Sequence, residues 1–196
     1  MHCEPQCARV KLDVEDYAAR RAMCYDVMQD VNNKNIIQHI LFSNEATFHI
    51  CGKVNKDNCR IWGNESPHVI YEWQRDTPKV NVCLGLTKAT LYGPFMFAEG
   101  TITGNTYLGM LTDFLEPQLE QGGIVYSVVF QHDAAPPDFA LTVRAYLNQR
   151  FPNGWIGRGS SRVWPLRSPD LTPLDFFAWG FIKAKVCKRK YETQRT

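Results

Sequence analysis

The sequence predicts an α/β protein in which a mixed sheet carries helices on both of its faces. The first half of the chain holds consecutive segments with the alternating pattern of strands, and the second half alternates short apolar strands with amphipathic helices. The order β-β-β-α-β-α-(β)-α, strands first and alternation afterwards, is typical of such a sheet. With 196 residues and 44% hydrophobic side chains, the chain suits one domain with a full core.

The chain opens with a lead-in, residues 1–35, in which one amphipathic helix is predicted from Val14 to Val31. Asp13 precedes this helix and is a suitable N-cap. Apolar side chains recur at helical spacing at Tyr17, Cys24, Val27, Met28 and Val31. The main domain, 36–196, follows a polar stretch that ends the helix.

Consecutive strands are predicted next, and they favour an antiparallel meander. The extended segments are 36–50, 59–62, 79–86 and 89–98. Side chains alternate along a strand, so the apolar face of the first segment includes Phe42, Asn44 and Ala46, while Glu45 lies on the other face. One neutral amide therefore sits among apolar side chains.

The second half alternates helices and strands. A helix is predicted over 107–115 and ends near Pro117, because proline interrupts helical hydrogen bonding. The later elements are a buried strand at 126–130, a helix at 138–150, a loop at 152–170 with a short strand near Val163, and a final helix from about Pro173.

Charge and cysteine content exclude few functions but set the cellular context. The formal net charge is +2, which neither requires nor excludes a nucleic-acid partner. The seven cysteines are scattered and odd in number, which indicates reduced thiols and not a disulfide framework or a zinc site. No signal peptide or membrane span is evident, so we expect a soluble intracellular protein.

Two acidic residues stand at the ends of predicted elements. Asp133 follows an apolar strand, at the edge where open sheets bind ligands, although an aspartate before proline also shapes turns. Asp175 lies three residues after Thr172 and two after Pro173, which is the pattern of a capped helix start. Capping and ligand binding are compatible, because a carboxylate fixed in a first helical turn is well placed to hold a metal ion.

Three segments together resemble a known family. FSNEATFH, QHDAAPP and WPLRSPDLTPLDFFAWG are similar to the signature blocks of the catalytic domain of mariner-type DNA transposases, and the resemblance extends over roughly residues 12–190. It implies a ribonuclease H-like fold and an acidic triad that holds two divalent ions, Mg²⁺ or Mn²⁺. It also implies cut-and-paste DNA transposition, in which a DNA strand is cleaved and then joined to a target strand.

The resemblance assigns the catalytic and metal-binding set to Asn44, Asp133 and Asp175. Asp133 matches the second acid and Asp175 the third, with 41 residues between them, while Asp170 is the weaker candidate for the third acid and matches the turn aspartate of the motif. The first acid falls on Asn44, which lacks the negative charge that a bridging ligand supplies. Alternation along the strand predicts that Glu45 faces away from Asp133 and does not substitute.

We therefore expect a transposase-derived domain with lost or reduced cleavage. The alternatives are an active transposase, a non-catalytic DNA- or protein-binding remnant, and a ribonuclease H-like nuclease of another kind. Four further positions depart from the family pattern, at Cys83, Ala134, Asp138 and Leu166, where Trp, Gly, His and Pro are usual. The resemblance also implies helix-turn-helix modules before this domain and more helical sequence after it, so we expect a truncated domain without specific recognition of element ends.

DNA is the expected partner, and a homodimer is compatible with the resemblance. We expect neither a membrane nor a small-molecule substrate, and we expect the nucleus as location. The candidate phosphate contacts are Arg150, Arg158, Arg162, Arg167, Lys183 and Lys185. Trp155 and Trp164 either stack on bases or belong to the core, and the basic residues either contact phosphate or form a solvated surface.

Overall fold

A five-stranded mixed sheet forms the centre of the described chain. The computed structural model describes residues 12–34, 36–49, 78–133, 135–151, 154–166 and 168–193. Its strands are β1 (Ile40–His49), β2 (Lys79–Leu86), β3 (Leu91–Met96), β4 (Val129–Gln131) and β5 (Trp155–Ile156). The spatial order is β3-β2-β1-β4-β5, with antiparallel pairing among the first three strands and parallel pairing of β4 with both β1 and β5. The predicted meander and mixed sheet are confirmed, and the predicted strand at 59–62 lies outside the described residues.

In the described residues, four longer helices and two short 3₁₀ turns accompany the sheet. Helix α1 is Val14–Lys34, and α3 is Leu141–Arg150. Helix α2 covers 104–121 as Gly104–Gly109, a π-helical stretch Met110–Leu115, and Glu116–Gln121. Helix α4 covers 174–193 as a π-helical start, Leu174–Ala178, and Trp179–Thr193. The 3₁₀ turns are Ile36–His39 and Pro169–Leu171. Within these residues, no helix combines the length and apolar character that crossing a membrane requires.

Helix α1 starts at the predicted residue, but the side chains that pack on the sheet differ from the predicted set. Asp13 Oδ1 accepts from the N–H of Asp16 at 2.9 Å, which confirms the N-cap. Val27 and the unpredicted Met23 pack on the sheet, whereas Tyr17 is exposed. The contact with the sheet is narrow, so two side chains four positions apart on one helix face suffice for it.

Helix α2 does not end near Pro117, and that prediction is wrong. The helix passes into a π-helical stretch before the proline, where the N–H of Glu116 donates to the carbonyl of Leu111, five residues back. Pro117 then occupies the first turn of the following α-helical segment, where its missing N–H leaves no gap. The changed hydrogen-bond spacing accommodates the proline within one continuous helix.

The elements after α2 are displaced from their predicted positions. Strand β4 starts at Val129 and not at 126, because the preceding residues form a turn in which the N–H groups of Ser127 and Val128 donate to Ile124. The short strand is β5, at Trp155–Ile156, and it is bridged to Arg162 instead of being centred on Val163. Helix boundaries and two-residue strands are poorly determined by local pattern.

Both faces of the sheet are covered, as predicted. On one face, Leu41 and Phe130 pack against α2 and α3 through Tyr107, Leu111 and Val143. On the other face, the apolar contacts join two groups, one including Ile40, Val129 and Ile156 beside α1, and one including Val82, Leu84, Leu174 and Trp179 beside α4. We call these the α2/α3 face and the α1/α4 face.

Candidate metal centre

The acidic residues meet where β4 ends beside the middle of β1. The parallel register pairs Leu41 with Phe130 and Phe42 with Gln131, the last residue of β4. Continuing that register by two residues brings Asp133 level with Asn44. The sequence folds this way because the apolar strand β4 is buried between β1 and β5. The polar residues that follow β4 leave the sheet at the carboxyl ends of these parallel strands.

Asn44 is buried on the α1/α4 face, close to Asp175. Its Oδ1 accepts from the N–H of Glu45 at 2.6 Å, and its side chain opposes the rise in the pKa of Asp175. The oxygen that a metal ion would need is already occupied by a backbone N–H.

Asp175 lies at the start of α4, on the same face as Asn44. Thr172 caps this helix, since its hydroxyl accepts from the N–H of Leu174 at 3.4 Å and its carbonyl accepts from the N–H groups of Asp175 and Phe176 at 3.2 Å. Burial and the negative charge of Asp133 raise the pKa of Asp175 to about 6, against the opposing effects of Asn44 and Lys183. The helix start therefore delivers an acid with a weakened preference for its charged form.

Asp133 both shapes a turn and joins the cluster. Its Oδ1 accepts from the N–H of Ala135 at 3.1 Å, which is the local turn contact that an aspartate before proline makes. The same carboxylate raises the pKa values of Glu45, Asp138 and Asp175 by its charge. Both interpretations of this residue in the sequence are compatible with its geometry.

The prediction that Glu45 faces away from Asp133 is wrong. Glu45, Asp133 and Asp138 each offer a carboxylate oxygen, and the three atoms lie within 4.8 Å of one another. Glu45 does lie on the opposite face of β1 from Asn44, beside Ser43 and Cys83. Asp133, however, lies beyond the last residue of β4, so strand alternation no longer restricts which face its side chain reaches.

Asp138 and His132 are site residues that the sequence reasoning did not assign. Both are 1% exposed, and Asp138 Oδ2 lies 3.3 Å from His132 Nδ1. The His132 ring stacks on Trp155 at 5.2 Å between centroids. The signal in the sequence is the aspartate at position 138, where the resemblance leads one to expect histidine.

The carboxylates on the α2/α3 face strongly disfavour one another's charge. Burial, followed by the charges of Asp138 and Asp133, raises the pKa of Glu45 well above its ordinary value, although a hydrogen bond from Cys83 opposes the rise. Burial also raises the pKa of Asp138, against the opposing contacts of His132 and the N–H of Ala135. The Cys83 thiol donates to Glu45 Oε1 at 3.2 Å, and burial raises the pKa of that thiol too.

Asp170 and the aromatic candidates have structural roles. Asp170, the weaker match to the third acid, forms an ion pair with Arg20 of α1 and does not join the cluster. Trp155 and Trp164 are 2% and 3% exposed and belong to the core, which favours packing over base stacking. Cys24 and Cys83 are free thiols, as expected.

The basic candidates lie in different surroundings. Arg150 pairs with Glu116 and Glu120, which makes it a poor phosphate ligand. Arg158 lies over the Phe139 ring at 4.3 Å from its centroid. Lys183 and Lys185 lie on α4, over the rings of Phe48 and Phe181, and Lys183 also lowers the pKa of Asp175 by its charge. Arg162 forms the bridge to β5, and Arg167 lies outside the described residues.

Solved structures of Mos1 transposase are similar to this domain. The paired-end complex with the left transposon end matches with a TM-score of 0.70 and 20% identity, over 95% of this chain and 53% of the Mos1 chain. The strand transfer complex matches with 0.70 and 18%, over 99% and 57%, and the catalytic domain of Mos1 mariner transposase with 0.62 and 19%, over 94% and 82%. The chain has the fold of the Mos1 catalytic domain.

That similarity confirms the ribonuclease H-like fold. It also agrees with the resemblance that the three sequence blocks carry. This chain spans about half the length of the Mos1 chains in the two DNA complexes. No protein-family model matches the sequence, and no curated protein matches it.

Proposed function

We propose that this domain derives from a Mos1-like transposase and acts on DNA by metal-dependent strand cleavage and strand transfer, with activity reduced by Asn44. The observation that carries the proposal is the meeting of Asn44, Asp133 and Asp175 at the carboxyl end of β4, in a domain with the Mos1 catalytic fold. Mos1 itself has been solved as paired-end and strand transfer complexes, and with Mn and Mg.

The residues on the α1/α4 face fit a divalent ion only in part. Asp133 and Asp175 would hold Mg²⁺ or Mn²⁺ there, because hard cations prefer carboxylate oxygens. When bound, such ions stabilise the attacking and leaving oxygens of an in-line phosphoryl displacement. Asn44 contributes no charge, and its amide oxygen already accepts from the N–H of Glu45. This is the physical basis for reduced cleavage.

Restoring the acid tests the proposed activity. We expect Asn44→Asp to raise Mg²⁺- or Mn²⁺-dependent nicking of supercoiled DNA by on the order of 10²-fold, because one charge returns next to the developing charge. The matched control is Asn44→Asp combined with Asp133→Asn, which should not nick. Equal nicking by the unmodified chain and Asn44→Asp would show that Asn44 is not what limits activity.

DNA contact is proposed to involve α4 beside the acidic site. Lys183 and Lys185 lie on α4, whose first turn holds Asp175, so DNA that runs along this helix would pass close to the cluster. Lys185→Gln should lower the slope of log affinity against log salt by about 0.9, the value for one lost phosphate contact. Lys88→Gln, an exposed lysine in the turn between β2 and β3, is the matched control. An unchanged slope in Lys185→Gln would exclude this contact.

The second candidate is a non-catalytic DNA-binding remnant, which the engaged amide of Asn44 favours. It predicts salt-dependent DNA binding without nicking in either the unmodified chain or Asn44→Asp. Action on chromosomal DNA would place the protein in the nucleus, and a homodimer would bring two DNA ends together. The nuclear location and the homodimer are both part of what we propose.

A further inference from the structure

The carboxylates of the α2/α3 face form a compact group that the Asn44 site does not use. Glu45, Asp133 and Asp138 offer oxygens within 4.8 Å of one another. Two oxygens on opposite sides of one ion are about 4.2 Å apart for Mg²⁺ and about 4.8 Å apart for Ca²⁺, given their usual metal–oxygen distances. The spacing is therefore that of ligands around a single cation. Among the residues described, these three are the group that meets this condition.

Asp138 supplies an independent indication that something is missing from this group. Its side chain is 1% exposed, and within the described parts of the chain neither carboxylate oxygen makes a hydrogen bond of full geometry, although His132 and the N–H of Ala135 are close enough to oppose the rise in its pKa. A buried carboxylate is costly unless it is paired with a counter-charge or fully hydrogen-bonded. His132 is close to one oxygen, at 3.3 Å, and Oδ1 remains for another partner.

We propose that Glu45, Asp133 and Asp138 bind one divalent cation, on the face of β1 opposite Asn44. This site rests on the proposed function, which requires a divalent cation. It differs in that the ligand on β1 is Glu45 and not the neighbouring Asn44. Asp133 is shared between the two positions, so the cation stays at the carboxyl end of β4. Asp175 is not among its ligands.

Neighbouring groups hold the three ligands in place. Glu45 is fixed by the backbone of β1 and by the Cys83 thiol, which donates to its carboxylate at 3.2 Å. Asp133 is fixed by the N–H of Ala135 at 3.1 Å. Asp138 lies against His132, whose ring is stacked on Trp155. Carboxylates that bind metal ions are themselves commonly hydrogen-bonded by neighbouring groups.

The number of bound ions separates this proposal from an intact family-type site. The unmodified chain should bind one Mn²⁺, because Asn44 leaves the α1/α4 position without its first acid. Asn44→Asp should bind a second. Mn²⁺ titrations of the full chain without DNA, followed by electron paramagnetic resonance and by calorimetry, measure both numbers independently of any cleavage.

Single substitutions identify the ligands. Glu45→Gln and Asp138→Asn should each weaken the first Mn²⁺ by at least about 10-fold, the lower end of what losing a metal-site partner costs. Asp170→Asn, an acid paired with Arg20 outside the group, is the control and should leave the affinity unchanged. Circular dichroism establishes that each variant is folded; if Asp138→Asn is not, Glu45→Gln alone decides.

The outcomes are distinguishable from failure of the proposed function. Saturable binding of one Mn²⁺ that Glu45→Gln abolishes, with no nicking even in Asn44→Asp, supports this site and rejects the transposase activity. No binding by the unmodified chain, with two ions bound by Asn44→Asp, overturns this site and leaves the proposed function standing. Binding lost in Asp175→Asn but retained in Glu45→Gln also overturns it, because the ion would then lie on the α1/α4 face.

Discussion

Asn44 and Glu45 are neighbours on β1, yet they face two different chemical environments. On the α1/α4 face, the amide oxygen of Asn44 accepts from the backbone, and its side chain lies close to Asp175. On the α2/α3 face, Glu45 meets two further carboxylates, Asp133 and Asp138, and the buried oxygens of Asp138 lack full hydrogen bonds. One face places an amide beside an acid, and the other places three carboxylates together.

The difference bears on the proposed metal site, because the loss of an acid at one position is accompanied by a group of three acids on the opposite face of β1. Relative to the family pattern, the chain loses a charge at Asn44 and gains one at Asp138, where histidine is usual. Both changes lie within reach of Asp133. A site judged only by matching three motif positions would record the loss and miss the gain.

The packing behind His132 offers the strongest way to break the α2/α3 face. A Cβ added at Gly157 would lie 2.6 Å from His132 Nε2 and 2.9 Å from Trp155 Cζ3, which is closer than real contacts allow. We expect Gly157→Ala to lower the free energy of unfolding by about 1–3 kcal/mol, the usual cost of overpacking. Denaturant unfolding followed by tryptophan fluorescence measures the change.

The matched control for that substitution is Gly180→Ala, at a helical glycine with nothing within 4 Å of the added Cβ. It should raise stability by about 0.5–1 kcal/mol, because alanine favours the helix more than glycine does. Equal effects of the two substitutions would contradict the contact between Gly157 and His132.

The pH dependence of stability should distinguish the two faces in metal-free protein. The folded-state pKa of Asp175 is raised to about 6 from an ordinary 3.8, mainly by burial. A raised pKa in an acid means that stability is lost as pH rises from the unfolded to the folded value. Asp175→Asn should therefore gain stability relative to the unmodified chain between about pH 4 and 6, and no more above pH 6.

Glu45→Gln reports on the other face, because burial, followed by the charges of Asp138 and Asp133, raises the pKa of Glu45 well above its ordinary value. Its relative gain in stability should begin near the ordinary pKa of 4.5 and grow as pH rises towards the folded-state pKa. Thermal unfolding with a chelator at a series of pH values compares the two variants. A gain that stops at the same pH in both would show that the two faces are electrostatically alike.

The fold was more predictable from the sequence than the site. The meander and the acids at element ends follow from alternation, burial and capping, which are local patterns. The meeting of Glu45 with Asp133 and Asp138 depends on where β4 ends, because alternation holds only within a strand. The π-helical stretch before Pro117 depends on packing between α2 and the sheet, which no local pattern determines.

Substitution at the contact that attaches α1 to the α1/α4 face should change the free energy of unfolding least. Arg20 donates to Asp170 Oδ1 at 2.9 Å, and the same guanidinium lowers the pKa of Asp170 through their hydrogen bond. Asp170 is largely exposed, so Asp170→Asn should cost only about 0.2–1 kcal/mol, as exposed ion pairs do. Because the folded-state pKa of Asp170 is lowered, the ion pair contributes its stability above pH 3.8, and this stability is lost as the pH falls further.

A double-mutant cycle with Arg20→Gln isolates that pair, because each single substitution removes the same interaction. A coupling energy near zero at neutral pH would mean that α1 is held by Met23 and Val27 alone. A coupling above about 1 kcal/mol would exceed what exposed pairs supply and would indicate that Ser168, which accepts from Arg20 at 2.7 Å, makes the contact a network. In that case α1 helps to fix the segment that leads into Asp175, and the α1/α4 face is held from outside the sheet as well as from within it.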